Sequence, residues 1–506
     1  MKTKSLAVGL LVSLASLTVG CIRPKEYRPV GYLTPLAVPP TPDATEPDSI
    51  AVDRKIALPV GTHCLADAKG QPPKRLTPAG DAVSGPNAGS GPCIAFVEYN
   101  DKGKHYHDQE DQIESAAALV QKAIDDDPQH QPIIVGFVHG WKHNATPGKG
   151  GHEGITEWPP EDSNIQGLEH VLNYLYRCYY ADPHINSTCL IGQRSTAGAN
   201  VQGHVVVGIY FGWYGADISP YWPVAQQISV YSRGGEADKV AQAAALSRDL
   251  ARLSHIAHPS PKPEHEPMFV LVGHSFGARL LEQAITEPME TRIMQQIKEP
   301  SLPTFADLVL YVNSAAPAKD GMDMLQFLAK HKVSYNKTGG DSSPEPLLAA
   351  ITTPADAATG IAFTLANAPI SWFHGGEVSV SVGYDPVTGK PRIVQEDQAK
   401  LFRNTLGHLQ EFQSHSVNAV PVASEAACKG VAPGTFYYWV PGHCFQVVPA
   451  TPLTNESFRW NGTPYWVIST DQVIIPDHGT IFTNRFLRFV GRILPTESDK
   501  AAVKGE

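Results

Sequence analysis

The residues best suited to chemistry lie at 273–277, Gly-His-Ser-Phe-Gly. They follow Met268 to Val272, an unbroken apolar run short enough for a buried strand. They precede Ala278, Leu280, Leu281 and Ala284, which begin a helical pattern. A strand, a tight turn and a helix in that order put Ser275 at the tip of a strained corner, with Gly273 and Gly277 small enough for strand and helix to approach. The helix end beneath the serine offers free N–H groups and a positive dipole end, suited to a developing oxyanion. A serine hydroxyl is a weak nucleophile at neutral pH. It needs a base in hydrogen-bond reach and an acid that orients the base. Beyond position 360 the histidines are His374, His408, His415, His443 and His478. Of these, only His478 follows a strand-like run near the C-terminus (Ile474-Ile475) and precedes a terminal helix, with Gly479 free to fold its loop back. For the acid, Asp356 follows the second strand after the serine and Asp320 the first. Asp323 and Asp477 fit the pattern less well, and Asp356 also suits a helix N-cap. His105, His107, Asp108, Glu110 and Asp111 have the side chains of a metal site, but read as the solvated start of a helix, so no metal is expected.

The elements that must position these groups follow from hydrophobic periodicity. Ile94–Tyr99, Ile133–Val138, Val205–Tyr210, Met268–Val272, Leu308–Asn313, Leu347–Thr352 and Tyr465–Thr470 read as strands. Amphipathic segments at 111–125, 165–175, 237–257, 322–330 and 483–494 read as helices. Strands alternating with helices over 93–495 predict an α/β domain, with a mostly parallel central sheet and helices on both faces. Residues 360–464 break this rhythm. They hold a hairpin (Val378–Val382 with Arg392–Val394) and the Cys428–Cys444 stretch, and read as a lid-like insertion over the carboxyl edge of the sheet. Residues 144–164 and 219–236 are expected to wall the same edge, and 496–506 to form a disordered tail.

The N-terminus has the pattern of an export signal. Lys2 and Lys4 precede the apolar stretch Leu6–Val19, which meets Gly20-Cys21. A cysteine directly after a small residue resembles the lipobox of bacterial lipoproteins, which implies a signal peptide over 1–20 and lipidation at Cys21. Leu17 lies four before the cysteine, and Thr18 occupies the usual leucine place. Ile22 is not aspartate, which favours the outer membrane. Seven prolines between 22 and 55 make 21–55 an extended linker, and 56–92 a loop-rich extension. The cysteines other than Cys21 are Cys64, Cys93, Cys178, Cys189, Cys428 and Cys444, an even set that suits disulfides in an exported chain. Near-neighbour pairing would join Cys64–Cys93, Cys178–Cys189 and Cys428–Cys444. The formal net charge of −10, with acidic residues spread widely, argues against nucleic-acid binding. No apolar run after the N-terminus is long enough to span a bilayer.

Taken together, several pieces resemble bacterial serine hydrolases of the α/β-hydrolase superfamily. These are Phe-Val-His-Gly-Trp-Lys-His-Asn at 137–144, Gly-Trp-Tyr-Gly at 212–215, Gly-His-Ser-Phe-Gly-Ala-Arg at 273–279, Thr-Pro-Ala-Asp-Ala-Ala-Thr at 353–359 and His-Gly-Thr-Ile-Phe at 478–482. Thr353 stands where serine is expected. The resemblance covers most of 94–495 and implies the α/β-hydrolase fold, with the chain order nucleophile, acid, base. Ser275, Asp356 and His478 would then form a triad, with Asp320 the variant position for the acid. The backbone N–H groups of Phe276 and Trp141 would form the oxyanion hole, with Gly140 permitting the turn, and the side chain of Trp141 could wall an acyl pocket. The implied activity is esterase- or lipase-like hydrolysis of a small or lipid carboxylic ester, without metal or organic cofactor. The protein would be held to the membrane by a lipid anchor. Acyl transfer at the membrane surface uses the same triad, and a non-catalytic surface lipoprotein could keep the same fold.

Overall fold

The computed structural model describes residues 93–105, 111–126, 132–141, 143, 145, 162–179, 206–213, 234–259, 266–337, 346–371, 374–384, 388–428, 436–440, 443–449, 463–494 and 501–504. Its strands are β1 (Cys93–Glu98), β2 (Ile133–Val138), β3 (Val206–Gly212), β4 (Met268–His274), β5 (Leu308–Val312), β6 (Ser334–Lys337), β7 (Leu348–Thr352), β8 (Glu377–Tyr384), β9 (Pro391–Asp397), β10 (His415–Pro421), β11 (Phe436–Val440), β12 (His443–Pro449), β13 (Tyr465–Thr470) and β14 (Ala501–Lys504). The helices are α1 (Asp111–Asp126), α2 (Ser163–Tyr179), α3 (Ala245–Ala257), α4 (Phe276–Lys298), α5 (Ala318–Lys330), α6 (Phe363–Ser371), α7 (Gln398–Arg403), α8 (Glu425–Cys428) and α9 (Asn484–Ile493).

A ten-stranded sheet in the order β1-β3-β2-β4-β5-β7-β13-β10-β12-β11 organises the chain. From β1 to β10 every neighbouring pair is parallel, while β12 is antiparallel to both β10 and β11. The first strands are nearly continuous in Val, Ile, Leu and Phe because both of their faces are covered. Alternate residues serve different layers. Ile94 and Phe96 of β1 join the cluster packed under α2 and α9, while Ala95 and Val97 join the cluster under α1, α3, α4 and α5.

The strand order also says where a site can form. After β2 the chain turns to β3 through α2; after β4 it turns the other way, to β5, through α4 on the opposite face. The strand order therefore reverses between neighbours β2 and β4, and a crevice opens at their carboxyl ends.

Several expectations change. The 360–464 stretch is not one insertion over the sheet edge, since β10, β11 and β12 are strands of the main sheet. Val417, Phe445 and Val447 alternate into its core, and the Cys428–Cys444 disulfide lies in this extension. The β8–β9 hairpin is a separate sheet whose Val380 and Val382 pack into the α5 side of the core. The run around Ile474-Ile475 is buried but forms turns anchored on Asp471 rather than a strand. The helix expected over 237–257 is interrupted at Ala244, whose φ is 61°. The expected disordered tail contains β14, which pairs antiparallel with β6.

Cys93 is disulfide-bonded. The expected pairings Cys64–Cys93 and Cys178–Cys189 involve Cys64, Cys189 and the side chain of Cys178, which lie outside the described residues. The same holds for the signal segment, Cys21, the linker, the 56–92 extension and most of the two expected wall segments. Among the described residues no helix is long and apolar enough to cross a membrane.

Candidate active site

Ser275 joins β4 to α4 with φ 57° and ψ −123°, a strained backbone for a residue with a side chain. The surroundings hold it there. Its N–H donates to Val312 O at 3.1 Å, and its carbonyl accepts from Ala278 and Ala315 N–H, also at 3.1 Å. Side chains are excluded around it. A methyl group on Gly277 would lie 2.2 Å from Val138 O, one on Gly273 2.5 Å from Ala278 Cα, and one on Gly140 2.8 Å from Ser275 Cβ. Gly140 thus lets the loop carrying Trp141 sit directly beside the serine.

Two hydrogen bonds link the three residues picked out in sequence. His478 Nε2 lies 2.9 Å from Ser275 Oγ, and His478 Nδ1 lies 2.9 Å from Asp356 Oδ2. Asp356 is buried and amply supplied with donors. Its Oδ1 accepts the N–H groups of Ala358 at 2.9 Å and Thr359 at 3.0 Å, and its Oδ2 accepts the Thr359 hydroxyl. Burial pushes this carboxyl up, but the contacts with His478 and Thr359 outweigh it and hold the group below the usual carboxylate range. An ionised Asp356 accepts only, so Nδ1 of His478 carries the proton and Nε2 is left to accept from the serine.

The histidine loop is fixed by residues that motif spacing does not single out. Asn313, just past β5 with φ 45°, is fully buried. Its Nδ2 donates to His478 O at 3.0 Å and to Asp477 O at 3.3 Å, and its Oδ1 accepts the Thr353 N–H at 3.4 Å. One amide therefore ties the base loop to the acid loop. His274 donates from Nε2 to the same His478 carbonyl at 2.8 Å, and burial lowers its pKa to about 3, which keeps it neutral. The available signal for Asn313 was an asparagine at a strand end, a residue type that tolerates positive φ.

The rejected acids have other work. Asp477 Oδ1 accepts the N–H groups of Gly479 and Thr480 at 2.8 Å each, closing the turn that presents His478. Asp320 lies in the first turn of α5, against Lys319 and Gln283, and Asp323 lies further along the same helix. Among the other histidines, His374 stacks on Phe402, His408 bonds Thr405 and His415 stacks on Trp466.

The His139-Gly140-Trp141 turn is shaped from within. His139 is buried between Tyr210 and Trp213; its Nδ1 donates to Gly140 O at 2.9 Å and its Nε2 accepts the Trp213 N–H at 3.0 Å. Burial lowers its pKa to about 4, so it stays neutral. Trp141 is half-buried against the core. Phe276 is the first residue of α4, where an amide has no partner within the helix.

The suspected polar cluster before α1 resolves differently. His105 is buried and pairs with Asp249; His107, Asp108, Glu110 and the side chain of Asp111 lie outside the described residues. Among the described residues no group of three or more His, Cys, Asp or Glu side chains could hold a metal ion. Comparison of the chain with protein-family models, curated proteins and solved structures finds no match to any of them.

Proposed function

We propose that the protein is a serine hydrolase of the α/β-hydrolase type that cleaves carboxylic esters through an acyl-enzyme. The observation that carries this reading is the unbroken chain Ser275 Oγ–His478–Asp356, two bonds of 2.9 Å each, at the crevice between β2 and β4. Ser275 Oγ attacks the ester carbonyl while His478 Nε2 takes its proton. Asp356 holds the Nδ1–H tautomer and stabilises the imidazolium. The N–H groups of Phe276 and Trp141 receive the oxyanion, a term worth about 3 kcal/mol per donor. His478 then protonates the leaving alkoxide, and later activates the water that releases the acid. No metal or organic cofactor enters these steps.

The surroundings favour an apolar acyl substrate. Directly after Asp356 the chain carries no charged residue until Glu377, and Ile361 and Leu365 stand 64% and 69% exposed there. This segment is the part of the expected lid that adjoins the site. With a lipid anchor at Cys21, as the lipobox-like start implies, the enzyme would work beside a membrane.

The test is Ser275→Ala assayed on p-nitrophenyl esters, with labelling by a fluorophosphonate probe. Turnover should fall by at least about 10³-fold, and labelling should vanish. A folded variant that keeps its turnover refutes the assignment.

A further inference from the structure

The turn that carries Trp141 is pinned on both sides. Before it, His139 accepts the Trp213 N–H, and the Trp213 indole Nε1 donates to His139 O at 2.7 Å. Two residues after it stands His143, the second histidine of the Phe-Val-His-Gly-Trp-Lys-His-Asn piece, outside the triad and outside the oxyanion hole. Further on, Ala145 packs on the end of β3, where a methyl group on Gly212 would lie 2.7 Å from Ala145 Cβ. A proton on His143 would lower the pKa of His139 and of His274 alike, so its ring lies near both. His274 in turn bonds the base loop, and a methyl group on Gly140 would lie 3.2 Å from its Nδ1.

His143 is anchored to the start of α2. Burial pushes the Asp162 carboxyl up, but the bond and charge of His143 and the Asn164 N–H outweigh it and hold the group below the usual carboxylate range. An ionised Asp162 only accepts, so His143 Nδ1 donates to its Oδ1, at 2.9 Å. The other ring nitrogen is left to accept, and Asn164 Nδ2 donates to Nε2 at 2.9 Å. The anchor is itself held. Asp162 Oδ1 also accepts the Asn164 N–H at 2.9 Å, and Asp162 O accepts the Ile165 N–H at 3.0 Å, in the first turn of α2. Asn164 is buried, and Ile165, Leu168 and Leu172 fix α2 on the sheet. The side chains of His143 and Asp162 are 22% and 9% exposed, so their bond is largely shielded from water.

We propose that His143, through its pair with Asp162, is a positioning residue of the oxyanion hole. A backbone N–H stabilises an oxyanion only where it already points at the oxygen, and a misplacement of about 1 Å can cost on the order of 100-fold in rate. The contacts of His139 with Trp213 hold one side of the Trp141 amide. His143 holds the other by tying the turn to a packed helix. The role rests on the hydrolase reading, and its test separates the two.

His143→Ala should lower kcat on p-nitrophenyl acetate about 10- to 100-fold, with KM within about twofold of the parent, because the lost interaction acts only in the transition state. A trifluoromethyl ketone reports the same interaction directly. Its carbonyl carbon takes Ser275 Oγ, the serine proton passes to His478, and the ketone oxygen becomes the oxyanion. Its inhibition constant should rise by about the factor by which kcat falls. His143→Asn, which keeps an N–H at the place of Nδ1, should recover most of the loss. Should His143→Ala fail to fold, His143→Leu takes its place, keeping the bulk and removing both bonds. A folded variant with parental kcat overturns the role. So does a raised KM with kcat unmoved, which would make His143 a substrate contact, and so does an asparagine variant no better than alanine. Activity that is lost in Ser275→Ala but indifferent to His143 refutes the role alone. A parent with neither turnover nor Ser275-dependent fluorophosphonate labelling refutes the hydrolase reading, and the role with it.

Discussion

Two histidine–aspartate pairs in this molecule invite comparison. His478 and Asp356 meet at 2.9 Å, with the histidine side chain 26% exposed and the carboxylate buried. His105 and Asp249 meet at 2.6 Å, with both side chains buried, at 4% and 3%. The second pair has the better-shielded contact, but Asp249 Oδ2 also accepts the Tyr99 hydroxyl at 2.6 Å, and the His105 ring stacks on that of Tyr99. Burial, with the charge of Asp249, raises the Tyr99 pKa well above its usual value, so the proton stays on tyrosine. The first pair instead stands on a loop with its other nitrogen on a serine hydroxyl in strained backbone. What separates the proposed catalytic dyad from the buried pair is the third partner and the access, not the bond between imidazole and carboxylate.

That contrast can be broken by one change in each pair. Asp356→Asn offers Nδ1 an amide that can stabilise the wrong tautomer, and kcat should fall by roughly 10⁴-fold, with thermal unfolding little changed. Ester turnover followed against a melting curve checks both halves; a loss of melting temperature that accounts for the lost activity would make Asp356 merely structural. Asp249→Asn should do the opposite. Removing one partner of a buried pair costs about 3–5 kcal/mol, so urea unfolding should shift strongly, while kcat per folded molecule stays at the parent value. A drop in kcat without unfolding would make the buried pair part of the machinery.

Both pairs are non-local, and that decides what could be read in advance. His478 and Asp356 are 122 positions apart, but each lies in a loop that follows a strand of the parallel core, in a required order, so motif spacing picked them out along with Ser275. His105 and Asp249 are 144 apart with no such order, and His105 was grouped with its polar neighbours instead. Asn313 was missed because its task depends on a carbonyl brought to it by a loop 165 residues away. The parallel core was readable because strands buried on both faces are continuous apolar runs. The extension by β10, β11 and β12 was not, since β10 and β12 mix polar residues such as Asn418 and Gln446 with their apolar ones, resembling loop by periodicity.

A third buried carboxyl sharpens the same lesson with a smaller effect. Glu282 of α4 is buried; its Oε1 accepts the Tyr465 hydroxyl at 3.1 Å, where Asp356 gathers four donors. Burial, reinforced by the charge of Asp320, raises its pKa to about 8, against weaker opposition from Tyr465, Lys319 and Arg279; Tyr311 also faces it. Its folded pKa thus exceeds the ordinary 4.5. The folded state holds this proton more tightly, so stability is fully present below pH 4.5 and is lost as pH rises through about 8. Asp356 has the opposite sign: its lowered pKa contributes stability that is lost as pH falls. Glu282→Gln removes the first trend and leaves the second. Urea unfolding at pH 5 and pH 9 should show the parent losing on the order of 3 kcal/mol more than the variant between the two. Parallel losses in both proteins would mean that Glu282 is ionised in the folded protein across that range, and that a single hydroxyl donor suffices where Asp356 has four.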